Sequence, residues 1–448
     1  MRYDETIDYL FGLQWHGIKL GLDNPRELLR RLGNPEKGIP YAHIAGTNGK
    51  GSTAAMLSAM LTASGRRTGL FTSPHLVSFT ERISVDRVQV TEQEVVDLAS
   101  EVMSAAEGMK PTFFEAVAAM GFLHFKRKGV DCAVLETGMG GRLDATNVIE
   151  PSVVIITPIG LDHAEFLGTT IREVAAEKAG IIKPGVRVVC AAQEPGALAV
   201  IEGRAQECGV SLHLEGREFG PENILRDPCQ PFHTEFDYAS GSGTIKRLRL
   251  PLRGEYQARN ASLAIRAFEL MDKGLKEDVI RNSLSGVVWP GRLELAADNP
   301  PTYVDGAHNP PASEALAGEL MSEGLEGGLT LVIGVMSDKD AEGIIRPLLP
   351  LAREIIFTRA AYGRAASPDT LSARARALGY GGGMTEIPNV ADALRAAREL
   401  GAPVLVAGSF YTAGEALEAL GARSVLRTLG EAVPDRLEPS AGLADGAL

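Results

Sequence analysis

His43-Ile44-Ala45-Gly46-Thr47-Asn48-Gly49-Lys50-Gly51-Ser52-Thr53 lies between a candidate strand, Tyr41–Ala45, and an apolar helical pattern from Ala54 to Ser64. Strand, glycine turn, lysine, hydroxyl and helix in that order are what a phosphate-binding loop requires. Glycines let backbone N–H groups turn toward phosphate oxygens, and a helix start adds partial positive charge. Lys50 is placed to meet the β- and γ-phosphates and Ser52 to ligate Mg2+. The order is G-x-x-G-K-G-S, one residue longer between lysine and hydroxyl than the standard spacing. An ordinary glycine-rich turn therefore stays open as the alternative.

The same rhythm runs outward. Thr68–Thr72, Cys132–Thr137, Val153–Thr157 and Arg187–Ala191 read as strands, as do Thr302–Asp305, Leu329–Val335, Glu354–Thr358 and Pro403–Ala407. Helical patterns separate them: one after the capping box Thr91-Glu92-Gln93-Glu94, and others near Phe113 to Arg127, Ile171 to Ile181 and Gln257 to Lys273. Such alternation predicts an α/β protein with parallel sheets covered on both faces. Val210 to Arg253 breaks the rhythm with hairpin-like alternation around Gly241-Ser242-Gly243, a small β-rich attachment. Trp289-Pro290-Gly291 marks a boundary. Residues 1–290 are expected to form a phosphate-loop ATPase domain, 291–434 a smaller Rossmann-like domain, and 435–448 a frayed tail.

Composition narrows the function. The 448 residues suffice for two or three domains of ~150 residues. A net charge of −12 argues against non-specific nucleic-acid binding, which needs Lys and Arg. Cys132, Cys190, Cys208 and Cys229 form no metal-finger spacing, and the first two read as buried reduced thiols. MRYDETIDYL carries charge where a signal peptide is apolar, and no apolar run approaches the ~18 residues of a membrane span. A cytoplasmic protein is expected.

Several chemistry-bearing residues follow strands, where open α/β sheets place ligands. Glu136 ends an apolar strand, so its carboxylate needs a cation: Mg2+, or alternatively Arg142. His163 reads as a group outside the metal's immediate ligands, since Mg2+ prefers oxygen. Lys178 reads as a solvated helix lysine. Gln257 and Asn260 are polar residues at a helix start that can both donate and accept hydrogen bonds. Arg292, in the linker, could reach ATP phosphates.

Gly46 to Ser52 resembles the ATP loop of folylpolyglutamate and dihydrofolate synthases, relatives of the Mur ligases. Gly17-Ile18-Lys19-Leu20-Gly21-Leu22, Leu32-Gly33-Asn34-Pro35 and further motifs to about Gly414 extend the resemblance in order along nearly the whole chain. It implies ATP binding by Gly46, Thr47, Asn48, Gly49, Lys50, Gly51, Ser52 and Thr53, with Gln257, Asn260, Arg292 and Asp305. It implies two Mg2+ sites drawing on Ser52, Ser73, Glu136 and His163, and a carbamylated Lys178. Phe113 or Phe114 of Thr112-Phe113-Phe114-Glu115 would lie near a pterin, the other being core, with Asp144 and Ala145 as further folate contacts. His308 would lie between ATP and L-glutamate, with Ser409 also on glutamate; Asp338-Lys339-Asp340 matches without a role. Lys50, Lys178 and His308 would carry the chemistry. The implied reaction joins L-glutamate to dihydropteroate and extends reduced folates through an acyl phosphate, in a monomer. A polyglutamylase alone, another Mur-like ligase, and a nucleotide switch without ligase chemistry remain alternatives.

Overall fold

The computed structural model describes residues 2–13, 21–226, 234–272 and 276–421. Cys229, most of the Gly17–Leu22 motif and the expected tail lie outside the described residues. Among the described residues no helix is long and apolar enough to cross a membrane.

Strands apolar on both faces can sit only in a sheet covered from two sides. Tyr41–Ala45 (β1), Thr68–Phe71 (β2), Ile83–Val85 (β3), Val88–Gln89 (β4), Cys132–Glu136 (β5), Val153–Ile156 (β6), Arg187–Cys190 (β7) and Leu212–Leu214 (β8) form one sheet in the order β4-β3-β2-β5-β1-β6-β7-β8. From β2 to β8 the pairs are parallel. The β3–β4 edge is antiparallel, an addition to the parallel expectation. Its turn, Asp86-Arg87, has φ of 53° and 66°. Positive φ at both positions is the usual two-residue hairpin geometry, here without the glycine that would have signalled it.

Phe219–Arg226 (β9), Thr234–Ser240 (β10) and Gly243–Leu250 (β11) make the attached antiparallel sheet. Phe236, Tyr238, Ile245 and Leu248 of this sheet share one buried cluster with Phe268 of helix Glu255–Asp272, Met60 of helix Lys50–Ala63, and Ala42 and Ile44 of β1. On the other face of the large sheet Tyr41, Phe71 and Leu135 pack on Phe122 and Phe125 of helix Phe113–Lys128. Thr91, Thr112 and Thr170 each close a capping box with a glutamate three residues on.

The chain divides into two compact units, Met1–His75 with Phe79–Glu294, and Leu76–Ser78 with the chain from Leu295 onward. The second contains all but the first residue of Glu294–Asp298 (β12), with Pro301–Val304 (β13), Leu329–Ile333 (β14), Ala352–Phe357 (β15), Gly383–Glu386 (β16) and Val404–Ala407 (β17). Their order is β12-β13-β17-β14-β15-β16, parallel from β13 to β16. Leu76 packs against the cluster of Val304, Val406 and Leu417 in this unit.

Phe268 is fully buried where the attached sheet meets the large one. Phe268→Ala should cost about 3–5 kcal/mol, read as a lowered urea midpoint with an unchanged slope.

Candidate active site

β1 lies between β5 and β6, and the chain leaves it toward β2 on one side before returning to β6 on the other. Connections diverging at one strand leave a crevice at its C-terminal end. The loop after β1 is tied to the loop after β6: Thr47 and Asn48 N–H donate to Pro158 O, and Thr47 Oγ1 donates to Gly160 O at 2.9 Å. Gly49 has φ +86°, and a β-carbon there would lie 2.3 Å from Asn260 Oδ1. No side chain caps helix Lys50–Ala63. Its first N–H groups are therefore left for an anion. Gln257 and Asn260 are buried at the start of helix Glu255–Asp272 and bond to each other, Nδ2 of Asn260 donating to Oε1 of Gln257 at 3.1 Å.

Lys50 Nζ donates to Thr47 O at 3.2 Å and lies 3.9 Å from Glu136 Oε1. Glu136 Oε2 accepts the Ser73 N–H at 3.1 Å. Burial pushes the Glu136 carboxyl up, while Lys50, the Ser73 N–H and the Arg292 and Arg82 charges pull it down. Arg142 does not pair with Glu136; it bonds Glu177 at 2.7 Å. The structure thus brings Lys50, Ser73 and Glu136 together. His163, with φ +52°, is the N-cap of the short helix Ala164–Leu167, and its Nε2 lies 3.8 Å from Asp162 Oδ2. His75 Nδ1 accepts from Arg82 Nε at 2.8 Å.

Among the described residues no three His, Cys, Asp or Glu cluster as a metal site. One buried carboxylate, with the Ser73 N–H on one oxygen, still fits Mg2+. That ion keeps several waters and takes one or two carboxylates plus substrate phosphates.

Lys178 is not a solvated helix lysine. It is 5% exposed, and its Nζ donates to Gly46 O at 2.7 Å. Burial, reinforced by Lys50 and opposed by Asp162 and Asp144, lowers its pKa to about 7. Near neutral pH a large fraction is the free amine that carbamylation needs.

Phe113 and Phe114 are both half-buried and both pack against the cluster of Phe71, Phe79 and Phe122, so each shares in the core. Phe113 stacks on Phe11 at 5.2 Å, with the Arg82 guanidinium 5.2 Å from its ring; Phe114 meets Phe71 edge-on at 5.9 Å. Asp144 and Ala145 are buried. The Asp144 carboxylate accepts Gly138 N–H (2.9 Å), Met139 N–H (3.0 Å), Thr146 N–H (3.0 Å) and the Thr146 hydroxyl (2.5 Å). Burial still pushes its pKa up against these bonds. These four bonds fall within its own loop and use the acceptor positions of its carboxylate.

In the second unit, Asp305 Oδ1 accepts Ala307 N–H at 2.7 Å. His308 Nδ1 lies 2.9 Å from Gly306 O, so a neutral ring carries its proton there, and the ring sits 4.9 Å from Phe410. Ser409 caps helix Phe410–Ala419 by accepting Thr412 N–H at 3.0 Å. Its hydroxyl lies 2.8 Å from Thr412 Oγ1, which in turn donates to Gly334 O. The Ser409 proton is thereby directed to Thr412, leaving only acceptor capacity for a ligand. Asp340 caps helix Ala341–Ile345, and Asp338 meets Arg364 at 3.4 Å.

Two residues near these groups have no functional role in the sequence reading, where Trp289 marks only a boundary and His43 only a strand. Trp289 lies over Gly51, its indole 3.1 Å from where a β-carbon would sit, with Nε1 buried and lacking a hydrogen-bond partner. His43 is buried in β1 against Thr146. A histidine at a core-facing strand position was the available signal for the second.

A phosphate loop at a sheet crevice followed by a second parallel-sheet unit is the arrangement of a Mur-type ligase. The Mur ligase middle-domain model matches residues 44–268, and the Mur ligase glutamate-ligase-domain model matches residues 291–410. The dihydrofolate synthase/folylpolyglutamate synthase of Bacillus subtilis is 37% identical over 381 residues, covering 81% of this chain and 86% of that protein. The Mycobacterium tuberculosis folylpolyglutamate synthase complexed with ADP superposes with a TM-score of 0.88 at 33% identity, over 94% of this chain and 99% of that one. An Escherichia coli relative solved with DHPP and ADP gives 0.84 at 31%, over 94% and 98%. The chain belongs to the dihydrofolate synthase/folylpolyglutamate synthase family.

Gly49→Ala forces an L-residue into left-handed backbone and against Asn260, a strain of about 1–2 kcal/mol. ATP affinity should fall about tenfold in calorimetry. Lys178 is lowered from 10.5 to about 7 in the fold, so the unfolded chain binds its proton more tightly. Between those pH values the wild type should therefore gain stability relative to Lys178→Met, by at most about 1.4 kcal/mol per pH unit. Denaturant titrations in CO2-free buffer at pH 7 and 9 measure the slope; a flat difference would mean an ordinary lysine.

Proposed function

We propose that this chain is an ATP-dependent ligase that joins L-glutamate to dihydropteroate and adds γ-linked glutamates to reduced folates. The observation that carries the reading is the buried Glu136 carboxylate between Lys50 and the Ser73 N–H, beside an uncapped helix start. A folate carboxylate and an amine do not condense unaided, because oxide is a poor leaving group. Transfer of the ATP γ-phosphoryl group to that carboxylate gives an acyl phosphate. Attack by the glutamate amine then expels phosphate.

Lys50 and the loop N–H groups hold the phosphates. Gln257, Asn260, Arg292 and Asp305 bind the rest of the nucleotide. Glu136, Ser52, Ser73 and His163 would hold two Mg2+, which when bound neutralise charge on the transferring phosphoryl group. Lys178, as the free amine, is open to carbamylation, which would give that position a negative charge. Phe113, Phe114 and the Asp144–Ala145 loop face the pterin; His308 and the acceptor capacity of Ser409 serve the glutamate. The protein acts as a monomer in the cytoplasm, a setting that the free thiols of Cys132, Cys190 and Cys208 fit.

ADP release with ATP, Mg2+ and L-glutamate should depend on dihydropteroate in one reaction and on tetrahydrofolate in another. Turnover with tetrahydrofolate alone would leave a polyglutamylase. Turnover with neither, by protein that binds ATP, would withdraw the folate substrates. Lys50→Met should lower kcat by about a hundredfold or more, as loss of one transition-state charge contact does.

A further inference from the structure

β1 carries its side chains alternately to the two faces of the sheet. Tyr41 lies in the cluster of Phe71, Phe122 and Leu135, and His43, two residues on, turns to the same face, fully buried. Such a position ordinarily takes an apolar residue, because an imidazole there brings two polar ring nitrogens to satisfy.

His43 Nε2 lies 2.8 Å from Thr146 Oγ1, and that oxygen lies 2.5 Å from Asp144 Oδ1. Three backbone N–H groups also point at the Asp144 oxygens, two at Oδ2 and one at Oδ1. Both oxygens are thus acceptors, so the single Thr146 proton goes to Asp144. Thr146 Oγ1 must then accept from His43. This fixes the Nε2–H tautomer and leaves Nδ1 buried with no hydrogen-bond partner. Burial and the Lys183 charge hold the imidazole neutral, its pKa down to about 3. An unpaired buried nitrogen costs stability that an apolar side chain would not. What the histidine supplies in return is a directed donor at the root of a hydrogen-bonded chain. The far end of that chain, Asp144, gathers Gly138, Met139 and Thr146 into one loop, and His43 itself stands three residues before Gly46.

We propose that His43 and Thr146 are positioning residues for the folate subsite, holding the Asp144 carboxylate so that the loop from Gly138 to Ala145 keeps the shape that receives the pterin. This rests on the reading of the Asp144–Ala145 loop as the pterin side. Asp144 acts here through the loop it organises, since its acceptor positions are already filled.

Thr146→Val removes the hydroxyl at nearly constant volume, and Thr146→Ser retains it. With dihydropteroate, ATP and L-glutamate, Thr146→Val should raise the KM for dihydropteroate about tenfold, the scale of one unsatisfied buried polar group. Its KM for ATP should be unmoved, and Thr146→Ser should stay near wild type. If Thr146→Val does not fold, His43→Gln, which keeps a donor, and His43→Leu, which does not, give the same contrast. Long-range 1H–15N correlation on the full chain should show the His43 ring as the Nε2–H tautomer. An Nδ1–H tautomer, an unmoved dihydropteroate KM in the variants lacking the donor or hydroxyl, or equal impairment of Thr146→Ser and Thr146→Val would overturn the proposal alone. Wild-type protein that turns over no folate would overturn the folate reading and this proposal with it.

Discussion

β1 is hydrogen-bonded along both edges and buried on both faces, and the site follows from how the chain leaves it. Past Ala45 the backbone loses its sheet partners, and every polar group there needs another. Gly46 O takes the Lys178 amine, Thr47 and Asn48 turn their N–H groups to Pro158 O, and Gly49 turns left-handed into a helix that no side chain caps. The donors left over are those at the start of that helix. A phosphate is the group that best completes them.

Lys50 sits beside Glu136 and also helps lower the pKa of Lys178, while burial acts on both neighbours. Desolvation pushes the carboxylate up and the amine down, disfavouring the charged form of each, and for the amine it brings proton exchange near neutral pH. A site that must handle a highly charged phosphate and then release it gains from groups so poised.

The parallel strands were legible because each is a short apolar run set off by glycine, proline or polar residues, and the capped helices because Thr-x-x-Glu names its own hydrogen bonds. The β3–β4 hairpin was not, since Asp86-Arg87 adopts a glycine-type turn without glycine. Leu212–Leu214 was read into the attachment because a half-exposed strand looks alike in either sheet; it pairs with β7. Lys50 and Glu136 stood out beside glycine turns at strand ends. The burial of Lys178 did not, because Glu177-Lys178 has the pattern of a helix surface and only the fold brings the Gly46 carbonyl to it. Ser409, which the resemblance places on glutamate, also caps a helix, and Ser-x-x-Thr before a helix carries that cap in its sequence. The resemblance names Asp144 as a folate contact, but three of the four hydrogen bonds on its carboxylate come from backbone N–H groups, which no residue identity announces.

The tripeptide Leu76–Ser78 counts with the second unit although more than two hundred residues separate it from the rest of that unit's chain. The second half is therefore discontinuous in the gene as well as in the polypeptide. A recombination event at the linker near residue 290 would deliver a C-terminal half lacking Leu76, whose side chain covers Val304, Val406 and Leu417. Exchange between related sequences at that linker would have to meet a residue at position 76 able to cover the same three side chains.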